Sequence, residues 1–150
     1  MVQNPTRTSL ALAADHREFP RLQAFVETAC ERAGCSAGQR LRVQLVVEEL
    51  FTNTVKYGQG GAAPVSIGIS MEFDGKEPMT VRYEDDAPRH DPFEQAGGNE
   101  ELNTSITRRK IGGLGIVLVR ELGKDVHYAW SRGKNRVTFV VPLEAPRREY

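Results

Sequence analysis

The most informative segment of this sequence is Val47-Glu48-Glu49-Leu50-Phe51-Thr52-Asn53, whose apolar residues have helical spacing. At about 100° per residue, Glu49 and Asn53 lie on one face of such a helix, one turn apart. Asn is unfavourable inside a helix because its amide competes for backbone hydrogen bonds, so Asn53 requires a partner. Its amide oxygen and the Glu49 carboxylate are suited to hold Mg²⁺ and to orient a hydroxyl group or water. The alternative is that both side chains make ordinary surface hydrogen bonds.

The helix that carries this segment is predicted to begin after Ser36, a favoured N-cap residue, and to end at Gly58. The other predicted elements are a strand at 7–14, a helix at 18–33, a hairpin around Asp74-Gly75, a third helix around 116–122, and two last strands, Val126–Ser131 and Val137–Val141, joined by residues 132–135. Strands and helices do not alternate strictly, which argues against a doubly wound parallel sheet. The order predicts an α+β fold: a two-layer sandwich with a mixed, mostly antiparallel sheet and helices on one face.

A second segment with chemical potential is Tyr83-Glu84-Asp85-Asp86-Ala87-Pro88-Arg89-His90-Asp91-Pro92-Phe93. It begins at the end of a predicted strand, where acidic side chains can reach into a pocket. A carboxylate at this place can accept a hydrogen bond from an exocyclic amine such as that of adenine. The alternative is an acidic, proline-rich turn with no ligand.

A third segment, Ile111-Gly112-Gly113-Leu114-Gly115-Ile116, leads directly into the third predicted helix. Its glycines allow the backbone to approach a ligand closely, and the start of a helix offers unpaired N–H groups to an anion. The segment therefore predicts a phosphate site, although a tight turn is the alternative. It lacks the Gly-Lys-Ser/Thr of the phosphate loop, and it follows a long aperiodic stretch, 87–112, of a length typical of a functional lid.

Composition excludes several classes of function. The chain has 150 residues, which fits one domain, and 20 basic and 20 acidic side chains that cancel. This balance gives no reason to expect a nucleic-acid partner. The apolar runs are too short to cross a bilayer, and we identify no signal peptide. Three scattered histidines show no zinc spacing, and Cys30 and Cys35 are expected to be reduced in a cytoplasmic protein.

Together, the three segments resemble the motifs of the Bergerat-fold ATP-binding family, and within it the anti-sigma-factor serine kinases of bacterial partner-switching systems. Residues 49–58, Glu-Leu-Phe-Thr-Asn-Thr-Val-Lys-Tyr-Gly, match the first family motif, Glu-x-x-Thr-Asn-x-x-x-x-Gly. Residues 85–92 resemble the second motif, Asp-Asp-Gly-Pro-Pro-Phe-Asp-Pro, and residues 112–120 match the third. The resemblance covers about residues 8–142 of a predicted single domain, 1–150.

The resemblance implies a role for each matching residue. Asn53 would bind the Mg²⁺ that bridges the ATP phosphates, Glu49 would be the general base, and Asp85 would bind the adenine amine. The other nucleotide-binding positions that it implies are Lys56, Ala87, Gly112, Gly113, Leu114, Gly115 and Thr138, with residues 94–112 as a mobile lid. Thr138 matches a family Thr that supports the adenine pocket. Two departures from the second motif matter: Ala87 stands where the family usually has Gly, and His90 replaces Phe.

By the same resemblance, the protein would bind a sigma factor or similar regulator and phosphorylate a serine on a STAS-type antagonist, using ATP and Mg²⁺. A homodimer would be in keeping with this group. One alternative is a module that binds nucleotide and sequesters a partner with little or no kinase activity. Another is the catalytic half of a histidine kinase, which the absence of a helix with a phosphoacceptor His disfavours.

Overall fold

The computed structural model describes residues 6–58, 64–73, 79–93 and 124–141. Its elements, in chain order, are β1 (Thr6–Ala13), a short 3₁₀ turn (His16–Glu18), α1 (Phe19–Ala33), α2 (Ala37–Gly58), β2 (Ser66–Phe73), β3 (Met79–Asp85), β4 (Lys124–Ser131) and β5 (Lys134–Val141). The first two predicted helices are therefore present nearly as expected. The predicted third helix, the lid and the glycine motif 112–115 lie outside the described residues.

The five strands form one sheet in the order β1-β2-β3-β5-β4. All four described strand pairs are antiparallel. The sequence predicted a mixed, mostly antiparallel sheet, and the described strands show its antiparallel part alone. The α+β class is confirmed. Because side chains alternate between the two faces of a strand, each pairing also fixes which residues share a face.

One face of the sheet is apolar and carries both helices. Along β3 and β5 the buried residues alternate strictly, and pairs such as Val81–Phe139 and Tyr83–Val137 lie opposite each other. The same buried cluster contains Leu22 of α1 together with the apolar stripe of α2. The two helices therefore cover this face, as predicted. On the other face, Arg136 Nε donates to Glu84 Oε1 at 3.0 Å.

Local sequence explains where α1 ends and where α2 begins. Gly34 takes a left-handed φ of 72° after the last residue of α1, a conformation that glycine adopts without a Cβ penalty. Ser36 and Gln39 then form a reciprocal capping box. Ser36 Oγ accepts from Gln39 N at 3.1 Å, and Gln39 Oε1 accepts from Ser36 N at 2.9 Å. The two helices are consequently joined by a very short link.

The hairpin between β4 and β5 is tighter than predicted. Its turn consists of Arg132 and Gly133, with φ values of 54° and 75°, and β5 already begins at Lys134. Positive φ at both central residues is the geometry of a two-residue type I′ turn. The predicted link over residues 132–135 is therefore wrong, and Asn135 belongs to the strand.

No helix in the described ranges is long and apolar enough to cross a membrane.

We expect Phe139→Ala to lower the free energy of unfolding by about 3–5 kcal/mol, because it removes a ring that is only 1% exposed at the centre of the sheet. Leu41→Ala is the matched control, since Leu41 is 61% exposed on α2 and its truncation should change stability by less than about 0.5 kcal/mol. Urea unfolding followed by circular dichroism measures both. Equal losses for the two variants would contradict the assignment of this face as the core.

Candidate functional site: a carboxylate pocket between helix and sheet

A pocket lies between the C-terminal half of α2 and the helix-facing side of β3 and β5. Its polar lining residues are Asn53, Thr54, Tyr57, Tyr83, Asp85, His90 and Asn135, and Leu50, Ala87 and Val137 are among its apolar ones. The first two predicted segments are thus brought together in space, although they are more than thirty residues apart in sequence. We call this the carboxylate pocket, because Asp85 is its one acidic lining residue within the described ranges.

The Asp85 carboxylate is buried, with 8% of the residue exposed, and protein donors hold both of its oxygens. Oδ1 accepts from Asn135 Nδ2 at 2.8 Å and from the Ala87 backbone N–H at 3.1 Å. Oδ2 accepts from Thr54 Oγ1 at 2.6 Å. A buried charge is tolerated only when it is hydrogen-bonded, and these three donors meet that requirement.

The hydroxyl groups beside Asp85 form an ordered chain. Thr54 Oγ1 has a single proton, and the carboxylate oxygen at 2.6 Å is the strongest nearby acceptor for it. Tyr83 Oη, 2.7 Å from Thr54 Oγ1, is therefore the donor in that contact. Burial raises the pKa of Tyr83 well above its ordinary value, which keeps the phenol protonated as this role requires. Among the described residues, Thr54 is the one donor to Asp85 Oδ2, and a carboxylate oxygen can accept a second hydrogen bond.

Asn135 is a site residue that the sequence analysis missed. It is only 6% exposed, and besides Asp85 its Nδ2 donates to the carbonyl oxygens of Ala87 at 3.2 Å and Pro88 at 3.1 Å. Its Oδ1 accepts from the His90 backbone N–H at 2.8 Å and from the Tyr128 hydroxyl. One amide thus fixes both Asp85 and the loop that follows β3. Its position in the sequence could have identified Asn135 as a buried residue, because it alternates with Val137, Phe139 and Val141 on the buried face of β5.

Thr138 does not reach the carboxylate pocket, and this corrects the role that the resemblance implied for it. Its cross-strand neighbours are Arg82 on β3 and His127 on β4, both on the sheet face that turns away from the helices. It lies three positions after Asn135, an odd number, so its side chain points to the opposite face. Thr138 therefore lies on the sheet face opposite Asp85 and is not among the residues that line the carboxylate pocket.

The two α2 residues with proposed metal or phosphate roles are near the pocket in different ways. Asn53 is half-buried and lines it. Lys56 is exposed, and its Nζ lies 5.6 Å from the centre of the Tyr57 ring. Lys56 therefore stands at the rim, where it remains available to a phosphate in solvent.

Glu49 lies one turn before Asn53 and is half-buried. Its Oε1 is buried and has no hydrogen-bond partner among the residues that the structure describes. Burial raises the pKa of Glu49, the charge of Glu48 adds to this, and Lys56 opposes it. A carboxylate with an unpaired oxygen and a raised pKa is suited to accept a proton.

The two departures from the family motif fit the pocket without strain. Ala87 is buried and is not among the described residues with positive φ, so its Cβ is tolerated. The His90 ring stacks on Tyr57 with ring centres 3.7 Å apart, and it forms part of the pocket wall. The backbone of both residues is also hydrogen-bonded to the Asn135 amide.

The residues present fit ATP together with Mg²⁺. Among the described residues no three His, Cys, Asp or Glu side chains cluster as a metal site. Mg²⁺, however, commonly binds through one or two protein oxygens plus substrate phosphates and water. The Asn53 amide oxygen can supply such a ligand, and Asp85 supplies the acceptor for an amine. The phosphate contacts expected of Gly112, Gly113, Leu114 and Gly115 lie outside the described residues.

Residues 12–141 match the family described as Histidine kinase-like ATPase domain, and the chain belongs to that family. Membership implies that the protein binds ATP.

A comparison with solved structures finds the histidine kinase AdeS of Acinetobacter baumannii. The two sequences are 17% identical, the match covers 91% of this chain and 68% of that one, and the TM-score is 0.48. A comparison with curated proteins finds no match.

We expect Asp85→Asn to weaken ATP binding about 10- to 100-fold, because a hydrogen bond to a charged acceptor contributes about 1.5–3 kcal/mol. Thr138→Val, on the far face of the same sheet, should leave the affinity within about twofold. Isothermal titration calorimetry of both variants with Mg-ATP measures the contrast. If Thr138→Val weakened binding as much as Asp85→Asn, the face assignment of β5 would be wrong.

Proposed function

We propose that this ATPase domain is an anti-sigma factor and protein-serine kinase, which transfers the γ-phosphoryl group of ATP to a serine of a STAS-type antagonist. The observation that carries the proposal is Glu49: a half-buried carboxylate with one unpaired buried oxygen, within the described residues, one helical turn from Asn53. Hydrolysis of ATP and transfer to a protein both need a group that accepts a proton from the attacking oxygen.

The placement of Glu49 suits an attacking hydroxyl group that comes from outside the nucleotide pocket. Glu49 is not among the residues that line the carboxylate pocket, whereas Asn53 is. A nucleotide bound to Asp85 with Mg²⁺ at Asn53 would therefore extend its phosphates toward Glu49. A serine hydroxyl delivered there by a partner would meet the Glu49 carboxylate. Transfer then depends mainly on position and charge, as in other phosphoryl transfers.

The choice of partners rests on the motifs. Residues 49–58 follow the first motif of the anti-sigma serine kinases at every fixed position. Residues 85–92 keep the Asp-Asp, the first Pro and the Asp-Pro of the second motif. These are the grounds for a sigma factor, or a similar regulator, as the bound partner and for a STAS-domain protein as the substrate. A homodimer is part of the same proposal.

A second candidate is a nucleotide-dependent binding module with little or no transfer. The observation that favours it is the separation of the two groups: the hydrogen bonds that hold Asp85 involve Thr54, Ala87 and Asn135 but not Glu49. Nucleotide binding and catalysis are therefore separable, and the chain could retain the first without the second. The experiment below distinguishes them.

We expect Glu49→Gln to reduce phosphoserine formation on a STAS-domain substrate about 10²- to 10⁴-fold, the usual contribution of a general base. ATP affinity should stay within about twofold, because the Asp85 network is intact. Glu48→Gln, one position away and exposed, is the matched control and should transfer at the wild-type rate. Incubation with Mg-ATP followed by phosphosite mapping measures the transfer. ATP binding without phosphoserine from the wild-type chain would favour the binding module.

The raised pKa of Glu49 gives a pH dependence with a definite sign. Transfer needs the ionised carboxylate, so its rate should fall as pH decreases through the folded pKa, which lies above the ordinary 4.5. The free energy of unfolding should have the opposite pH dependence, because the raised pKa means that the folded state favours protonated Glu49. Glu49 should therefore destabilise the fold as pH rises from 4.5 through the folded pKa. Glu49→Gln should therefore raise the melting temperature at pH 7 but not at pH 3.5. A lower melting temperature for Glu49→Gln at pH 7 would contradict this.

A further inference from the structure

Cys30 and Cys35 meet at the point where α1 ends. The Gly34 N–H donates to Glu31 O at 3.1 Å, and the Cys35 N–H donates to Cys30 O at 3.0 Å. With Gly34 left-handed, these two bonds form a Schellman motif. In this motif the side chains of the residues joined by the outer bond frequently pack together, and here those residues are the two cysteines.

The backbone bond limits how far apart the cysteines can be. An N···O distance of 3.0 Å, with about 1.5 Å from N to its Cα and about 2.4 Å from O to its Cα, holds the two Cα atoms within about 7 Å. Disulfides usually join Cα atoms about 4.4–6.8 Å apart. Burial raises the pKa of both thiols, and each thiol also affects the pKa of the other. The sulfur atoms are therefore neighbours already, and a bond between them needs little backbone movement.

We propose that Cys30 and Cys35 are a thiol modification site, a dithiol that closes to a reversible intrachain disulfide when it meets a low-molecular-weight disulfide such as oxidised glutathione. Cys35 is half-buried and Cys30 fully buried, so reaction begins at Cys35. The Cys35 thiolate attacks one sulfur of the small disulfide and displaces one thiolate. The Cys30 thiolate then attacks Cys35 Sγ and displaces the second. Two protein thiols are oxidised, and one small disulfide is reduced to two thiols.

The surroundings of the pair set its rate. Burial raises the pKa of Cys30 to about 12 and also raises that of Cys35, which keeps both mostly protonated at neutral pH. The Arg40 guanidinium lies near both thiols and opposes this shift. Arg40 is itself held between Glu27 and Glu31, at 3.6 and 3.7 Å. Because only thiolates react, disulfide formation should accelerate as pH rises.

The disulfide should change the stability of the helix pair and leave the nucleotide site unchanged. Cys35 immediately precedes the capping box of α2, whereas Asn53 lies 16 residues beyond Ala37, the first residue of α2, or about 24 Å along the helix. A bond between Cys30 and Cys35 ties the end of α1 to the start of α2 and constrains the unfolded chain. This inference does not depend on the proposed kinase activity.

The test treats the reduced full-length chain with oxidised glutathione at pH 8 and then alkylates the remaining free thiols. We expect an intact mass lower by two hydrogen atoms, a peptide map that joins Cys30 to Cys35, and reversal by dithiothreitol. The melting temperature should rise by about 4–8 °C on oxidation. The affinity for Mg-ATP should stay within twofold. Cys35→Ser is the control: it removes one thiol at nearly constant size, and its melting temperature should not respond to oxidised glutathione.

Three results would overturn the proposal. The first is a lasting glutathione adduct on Cys35, the second is a disulfide between two chains, and the third is a chain that stays reduced under conditions that oxidise dithiothreitol. Each would show that the thiols, although adjacent, do not complete the second exchange.

Discussion

The buried Asp85 carboxylate is the constraint on which the site depends. A charge in this position destabilises the fold unless several donors reach it, and the donors come from different parts of the chain. Thr54 is on α2, Asn135 on β5 and Ala87 in the loop after β3. Satisfying one carboxylate therefore fixes the position of the helix relative to two strands. The same carboxylate lines the pocket, so the group that fixes these elements is also the one to which we assign the ligand amine.

The fold was largely predictable, because its signals are local. Helical spacing defined α1 and α2, Gly34 and Ser36 marked their boundary, and alternation defined the strands. What could not be read from the sequence was the register of β5. A type I′ turn places Asn135 in the strand, whereas a four-residue link would have left it in a loop. The motif resemblance assigned Thr138 to the pocket. Side chains alternate between the two faces of a strand, however, and in the observed register Thr138 lies on the face away from the pocket.

The site was predictable in its parts but not in its connections. Asn53, Asp85 and Ala87 were identified from motifs, and the structure places all three in one pocket. The hydrogen-bond network that orients Asp85 was not identified from the sequence. It includes Tyr83 and Thr54, whose positions in the sequence form no recognisable motif with Asp85. A hydroxyl group becomes part of a site only when a long-range contact brings it within hydrogen-bonding distance. Such contacts are the least accessible property of a single sequence.

The loop after β3 shows how the pocket accommodates residues that differ from the motif. A glycine would be required at position 87 only if the backbone there were left-handed, and it is not. The carbonyl oxygens of Ala87 and Pro88 and the N–H of His90 are all bonded to the Asn135 amide. This amide fixes the loop through its backbone, so the side chains at 87 and 90 can vary. The imidazole of His90 then takes the place of a phenyl ring against Tyr57, because stacking requires a flat ring and not a particular one. The backbone of this loop is therefore held by Asn135 of β5, independently of the side chains at positions 87 and 90.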